Sequence, residues 1–202
     1  MQNKLFIALD IDGVLNSRYD YSRFSDINGD IVDLADKLKD DIKFSKMTNG
    51  KFCYGNFVNC RQLKMFNGFV DKMIQNGYDI HIVGISSWFS TNPKDILLLN
   101  VNKEELYSYF ELNPKVTFHC AEYTIGLSHK RLESFIGYCE SVLNELGEEP
   151  NAICLYLDDL RHNNLELFNR KLLVFKDKHP NVKFVYLAIT ESTGLKEEHL
   201  IV

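Results

Sequence analysis

The sequence has no stretch approaching the roughly 20 consecutive apolar residues that a membrane-spanning helix needs. A cleavable signal is also missing from the first residues, which read MQNKLFIALDIDG, because their apolar part is short and ends in aspartates. We therefore expect a cytoplasmic protein without a membrane partner.

The cysteines lack any CxxC pair, and because their number is odd they cannot all pair in disulfide bonds within the chain. They are widely spaced, at Cys53, Cys60, Cys120, Cys139 and Cys154. Cysteines of an intracellular protein are normally reduced. We predict free and mostly buried thiols.

A basic excess is missing as well, since 23 Lys and Arg stand against 28 Asp and Glu, for a formal net charge of −5. This balance argues against a protein held to nucleic acid mainly by bulk charge, although it is compatible with a local basic groove. Repeats and low-complexity linkers are absent from the 202 residues, which suffice for one domain with a sizeable core. We predict a single domain over residues 1–202.

Short apolar runs alternate with helical patterns along most of the chain. The predicted strands are 4–9, 79–85, 115–118, 152–157 and 182–189. The predicted helices are 59–75, 129–146 and 163–178, with a further helical stretch at NKEELYSYF and a short helix at the end. This alternation predicts an α/β fold with a parallel sheet and right-handed crossovers, in which ligands bind outside the carboxyl ends of the strands.

Polar side chains follow three of the predicted strands at the point where each strand ends. They are Asp10 and Asp12 in ALDIDG, Ser86, Ser87 and Trp88 in GISSW, and Asp158 and Asp159 in YLDD. In a parallel sheet these residues converge on one crevice. Four carboxylates packed together would repel one another and raise each other's pKa, and a bound cation removes that conflict. Because carboxylate oxygens suit Mg²⁺, we predict a magnesium site formed by Asp10, Asp12, Asp158 and Asp159.

An anionic substrate would also need a cationic side chain. The candidates are Lys130 and Arg131, at the start of the predicted helix SHKRLESFIGYCE. Backbone N–H groups after Asp12 and around Ser87 are suited to cradle a phosphate, and Gly13 permits a close backbone approach.

These residues resemble the motifs of the haloacid dehalogenase (HAD) superfamily. DIDGVLN resembles the first motif, DxDG(T/V); ISSW resembles the second, Lys130 or Arg131 would be the third, and YLDD resembles the acidic fourth. The motifs extend from residue 4 to about 195, and they look most like a small HAD subfamily associated with nucleic-acid repair proteins and stand-alone phosphatases. The resemblance implies a Rossmann-like three-layer sheet with a small cap inserted at 17–58.

The resemblance further implies a Mg²⁺-dependent phosphomonoester hydrolase acting through an aspartyl-phosphate. Asp10 would be the nucleophile, and Asp12 the general acid and then base, with its backbone carbonyl also binding the metal. Ser86 would bind the phosphoryl group, and Lys130 or Arg131 would stabilise its charge. Lysine is the commoner family choice and Lys130 lies in the first turn, so we favour it, although Arg131 has the better register with the apolar face of the helix.

The substrate implied by the resemblance is a nucleotide or the phosphate end of a nucleic acid. Gly13, Ser87 and Trp88 are the candidate substrate contacts, although a tryptophan in such a place more often packs in the core. The segment 17–58 is polar and rich in aromatic residues, which would either stack on a base or form a small core of the lid, the reading we favour. Two other functions stay open: an inactive HAD-fold binding or regulatory protein, and a phosphotransferase or mutase.

Overall fold

A computed structural model of the chain describes residues 2–25, 37–44, 57–89, 103–121, 128–145, 151–159 and 165–201. The strands of these residues are β1 (Lys4–Leu9), β2 (Ile42–Phe44), β3 (Phe57–Asn59), β4 (Asp79–Gly84), β5 (Thr117–Cys120), β6 (Ala152–Asp158) and β7 (Val182–Ala188). Their helices are α1 (Arg18–Ser25), α2 (Cys60–Gln75), α3 (Lys103–Tyr109), α4 (Ser128–Glu145) and α5 (Leu165–Lys178), with 3₁₀ turns at Ser87–Phe89 and Glu197–Leu200.

Five strands form one parallel sheet in the order β5-β4-β1-β6-β7. The predicted α/β fold with a parallel sheet is therefore confirmed, and the strand order is compatible with a Rossmann-like fold. Numbered by chain order among themselves, the parallel strands run 3-2-1-4-5, so the direction of winding reverses between β1 and β6. A ligand crevice in such sheets lies at this reversal, outside the carboxyl ends of the two strands.

The central strand β1 is apolar from Leu5 to Leu9, as expected where helices cover both faces of the sheet. Leu5, Ile7 and Leu9 face one hydrophobic cluster, while Phe6 and Ala8 face the other. Apolar residues of α2 and α3 complete the first cluster, and those of α4 and α5 complete the second. Burial on both faces fixes the register of β1 and thereby fixes where Asp10 emerges from the sheet.

Helix α2 begins at a well-formed cap. The Asn59 side chain accepts hydrogen bonds from the backbone N–H of Arg61 and Gln62, at 2.9 and 3.2 Å. Its amide group donates to Asp20 Oδ1 at 2.9 Å, which ties α2 to α1. Such caps typically contribute about 1 kcal/mol to stability.

The described part of segment 17–58 has a small hydrophobic cluster of its own. Strands β2 and β3 pair in antiparallel fashion, with Phe44 opposite Phe57. The cluster consists of Phe24, Leu38, Ile42 and Phe57, with Tyr21 and Phe44 packed against it. In contrast, Tyr19 is exposed. Residues 26–36 and 45–56 lie outside the described residues, and the role of this segment as a cap stays a prediction.

The cysteines that the structure describes are free: Cys139 and Cys154 are buried, and Cys60 and Cys120 are partly buried. Cys53 lies outside the described residues. None of the described helices is long and apolar enough to cross a membrane.

Candidate active site

The ends of β1, β4 and β6 meet at one edge of the sheet, as their parallel register requires. Pairing continues just past the strands, where Asp10 N–H donates to the Leu157 carbonyl at 3.1 Å and Ile85 N–H donates to the Leu9 carbonyl at 3.0 Å. The residues that follow these strands therefore start from neighbouring positions, at the reversal between β1 and β6.

Three of the predicted acidic residues form a compact group. One carboxylate oxygen from each of Asp10, Asp158 and Asp159 lies within 4.8 Å of the other two. Asp10 and Asp158 are buried, with only 3% and 2% of their surface exposed. Burying several carboxylates together is costly unless cations neutralise them. Three oxygen ligands of this kind fit a hard divalent cation such as Mg²⁺.

Gly13 allows the loop after β1 to lie directly against Asp159. Its φ is +80°, and a Cβ placed there would lie 2.5 Å from Asp159 Cβ and 2.7 Å from Asp159 Oδ2. A side chain at position 13 would therefore fill the space that Asp159 occupies beside the other two acids. This contact gives the glycine a role in assembling the acid group, in addition to the phosphate approach expected from the sequence.

Arg131 supplies a cation to the acid group. Its Nη1 lies 2.8 Å from Asp10 Oδ2 and 3.7 Å from Asp158 Oδ1. Burial of the guanidinium lowers the pKa of Arg131, but the negative charges of Asp10 and Asp158 outweigh burial and hold that pKa above its ordinary value. Arg131 is therefore a permanent positive charge between two strand ends.

The side chain of Lys130, also in α4, points away from the acid group. Its side chain is 49% exposed, and its Nζ lies 3.1 Å from Glu133 Oε2 in the next turn. The structure thus places Arg131, and not the favoured Lys130, beside the acids, and the role of either residue as a charge-stabilising cation stays a prediction. The reason is helix geometry: Arg131 lies one turn before Phe135, which is fully buried, whereas Lys130 is turned toward solvent.

Asp12 lies beside the acid group but its carboxylate is not one of the three clustered ligands. Its Oδ1 accepts a hydrogen bond from Asn16 Nδ2 at 2.9 Å, and Trp88 Nε1 lies 3.3 and 3.2 Å from Oδ1 and Oδ2. Burial raises the pKa of Asp12 to about 6, the negative charge of Asp10 adds to the shift, and hydrogen bonds from Asn16 and Trp88 oppose it. A carboxyl group with this pKa carries a proton for part of the time near neutral pH.

Two of the residues that follow β4, Ser86 and Trp88, are buried. Trp88 is fully buried, so it is a core residue whose indole N–H reaches Asp12, and it is not an exposed substrate platform. Ser86 is also buried, and its Oγ accepts from the Trp88 backbone N–H at 3.4 Å. The side chain of Ser87 lies outside what the structure describes.

Asn16 is a site residue that our sequence reasoning missed. This buried side chain accepts from Gly13 N–H at 2.8 Å, and its amide group donates to Asp12 Oδ1 and to the Phe57 carbonyl, both at 2.9 Å. It thereby closes the loop after β1 and links that loop to β3. The available signal was a single amide residue three positions after Gly13, at the end of the otherwise apolar VLN.

A separate cavity of about 520 Å³ lies at the base of α1. Ser17, Asp20, Asn59 and Gln62 are among its lining residues, and the acids of the strand ends are not. Its size therefore carries no information about a ligand of the acid group.

Comparison with known proteins adds no relative: no protein-family model, curated protein or solved structure matches the chain. The resemblance to HAD proteins stays a prediction from the motifs.

Proposed function

We propose that this protein is a Mg²⁺-dependent phosphomonoester hydrolase that uses Asp10 as its nucleophile. One observation carries the proposal: Asp10 belongs to a group of three carboxylates, contacts the buried cation Arg131, and is followed two residues later by a carboxyl group, Asp12, whose pKa is raised to about 6. A nucleophile, a charge-stabilising cation and a proton carrier are the parts that such a reaction needs.

The metal would be held by Asp10, Asp158 and Asp159, whose carboxylate oxygens lie close enough to share one ion. When bound, Mg²⁺ supplies positive charge that lets a carboxylate approach an anionic phosphate ester. The close contact of Gly13 with Asp159 supports this arrangement, because it keeps the third acid beside the other two.

The first chemical step would form a bond between a carboxylate oxygen of Asp10 and phosphorus, while the bond to the ester oxygen breaks. Arg131 would stabilise charge on the phosphoryl oxygens through its guanidinium N–H groups, and Ser86 would donate its hydroxyl to one of them. Asp12 would give its proton to the departing alkoxide, so that a neutral alcohol leaves.

The second step would hydrolyse the aspartyl-phosphate. Asp12, now ionised, would accept a proton from the attacking water as the new oxygen–phosphorus bond forms. Phosphate would leave and the Asp10 carboxylate would be restored. The same Asp12 side chain therefore acts as acid and then as base, as its raised pKa allows.

The substrate class rests on the resemblance and on charge. The net charge of −5 favours a small nucleotide over a long polyanion. A small lid would leave room for the phosphate end of an oligonucleotide. The buried rings Phe24 and Phe57 belong to the cluster of the 17–58 segment and are not available to stack on a base.

A phosphatase assay with and without Mg²⁺ tests the proposal, using para-nitrophenyl phosphate and then a panel of nucleotides and 3′- or 5′-phosphorylated oligonucleotides. We expect Mg²⁺-dependent release of phosphate. Binding without turnover would favour the inactive regulatory protein, and transfer to an acceptor other than water would favour a phosphotransferase or mutase. Turnover that is unchanged when Mg²⁺ is removed by a chelator would contradict the proposed metal site.

A further inference from the structure

We propose that Trp88 is a positioning residue that holds the Asp12 carboxyl group for proton transfer. The inference rests on the proposed function and extends it, since a phosphatase of this kind needs Asp12 to be oriented and does not in itself require a tryptophan.

The contact between the two side chains is specific. Trp88 Nε1 lies 3.3 Å from Asp12 Oδ1 and 3.2 Å from Oδ2, so one N–H donor is shared by both oxygens. The indole nitrogen is a donor only, which leaves the carboxyl group as the acceptor in either protonation state. A donor held between the two oxygens restrains the plane of the carboxyl group.

The surroundings of Trp88 leave the ring little freedom to move. The side chain is fully buried, and its ring lies 6.4 Å from that of Tyr109 between centroids. The backbone is fixed by the turn after β4, where Phe89 N–H donates to the Ser86 carbonyl at 3.0 Å. Because the indole ring is held in place, its N–H group fixes the orientation of the Asp12 carboxyl group.

Asn16 completes the arrangement from the loop after β1, which also carries Asp12. It donates to Asp12 Oδ1 at 2.9 Å, so Oδ1 receives hydrogen bonds from both Asn16 and Trp88. Two donors therefore converge on Oδ1, and they fix how the carboxyl group of Asp12 is turned. Because Asn16 also ties Gly13 to β3, its replacement would disturb the loop, and Trp88 is the cleaner residue to change.

The variant Trp88→Phe removes the N–H donor and keeps an aromatic ring. We expect kcat/KM to fall about tenfold or more for an alkyl phosphate and less than about threefold for para-nitrophenyl phosphate. The difference arises because an alkoxide needs a proton from Asp12 to depart, whereas para-nitrophenolate leaves without one. Equal losses on the two substrates, or no loss on either, would overturn the proposal.

A matched control is Tyr109→Phe, which keeps the ring beside Trp88 and removes only the hydroxyl that donates to the Lys43 carbonyl at 2.9 Å. We expect this variant to change kcat/KM by the same factor for the alkyl phosphate and for para-nitrophenyl phosphate. A selective loss on the alkyl phosphate in this control would show that disturbed packing suffices, which would overturn the role of the N–H donor.

A double variant tests whether Trp88 acts through Asp12. In an Asp12→Asn background, adding Trp88→Phe should change kcat/KM for the alkyl phosphate by less than about twofold, because residues that act as a unit are not additive. Independent, multiplicative losses would mean that Trp88 acts by another route.

A measurement that needs no activity is available because the chain has one tryptophan. Its indole N–H gives a single resonance in a proton–nitrogen correlation spectrum, which we expect to move in Asp12→Asn and to stay in Asp177→Asn, a change at an exposed residue of α5. If the wild type is active and the resonance does not move in Asp12→Asn, the positioning role of Trp88 is overturned while the proposed function stands. A wild type inactive on every phosphate ester would overturn the proposed function and this role with it.

Discussion

Replacement of Gly13 by alanine is expected to destabilise the protein and to disturb the acid group together. The φ of +80° costs a residue with a Cβ about 1–2 kcal/mol. The new Cβ would lie 2.5 Å from Asp159 Cβ, and relieving an overpacked contact adds about 1–3 kcal/mol. The expected loss in the free energy of unfolding is therefore about 2–5 kcal/mol.

The assay is urea unfolding of wild type and Gly13→Ala, followed by calorimetric titration of the folded variant with Mg²⁺. We expect weaker Mg²⁺ binding, because Asp159 must move away from the group. The control is Gly68→Ala in helix α2, where a new Cβ would meet nothing within 4 Å. Alanine should stabilise that position by about 0.5–1 kcal/mol. If both variants shift the unfolding midpoint in the same direction and by the same amount, the reasoning about Gly13 is refuted.

Three further tests concern catalysis, helix capping and the titration of a histidine. Arg131→Gln should lower kcat by about 10²–10³, since it removes the cation proposed to stabilise developing charge, whereas Lys130→Gln at the exposed position should change kcat by less than about threefold. Steady-state kinetics in which Lys130→Gln loses more activity than Arg131→Gln would favour Lys130 as that cation. Asn59→Ala should cost about 2–4 kcal/mol in urea unfolding, because it removes the α2 cap and a donor to the buried Asp20 carboxylate; a loss below about 0.5 kcal/mol would contradict this. Burial lowers the pKa of His81 in the folded state, although Asp79 opposes the shift. As the pH falls through about 6.5, the His81 side chain therefore takes up a proton in the unfolded chain before it does so in the folded protein. The free energy of unfolding is highest above that pH and decreases below it. Unfolding of His81→Gln should accordingly depend less on pH between about 7 and 5 than unfolding of wild type, and an equal dependence would refute the assignment.

The parallel sheet could be predicted because its three central strands, β1, β4 and β6, are buried on both faces. Leu5 to Leu9 form a continuous apolar run, and a strand of that kind has few alternatives in an α/β fold. The short edge strand was harder: residues 115–118 were predicted, and β5 covers Thr117–Cys120 with alternating exposed and partly buried residues. An edge strand is packed less completely, so its apolar pattern is weaker.

The acid group could be predicted from charges placed at strand ends, because such residues have no role in a buried strand. The direction of side chains was harder to predict. Lys130 and Arg131 are neighbours in sequence, and helix geometry sends them to different faces. The register with Phe135 favours Arg131, whereas the resemblance to HAD proteins favours a lysine.

The hydrogen bonds of Asp12 could not be read from the sequence. Trp88 lies 76 positions away, and its indole N–H reaches Asp12 only because β1 and β4 are neighbours in the sheet. Asn16 acts through a loop whose shape depends on Gly13. The Trp88 contact depends on tertiary structure, which local patterns do not encode, whereas the Asn16 contact is local and depends on the conformation of the loop.

The central claim is that Asp10 is the nucleophile, and trapping its phosphorylated form tests that claim most directly. The protein would be mixed with a phosphate ester and Mg²⁺, quenched in acid within a turnover, digested and analysed by mass spectrometry. We expect one added phosphoryl group on Asp10 in wild type and none in Asp10→Asn, which should stay folded and lose turnover. A phosphoryl group on another residue, or normal turnover by Asp10→Asn, would contradict it.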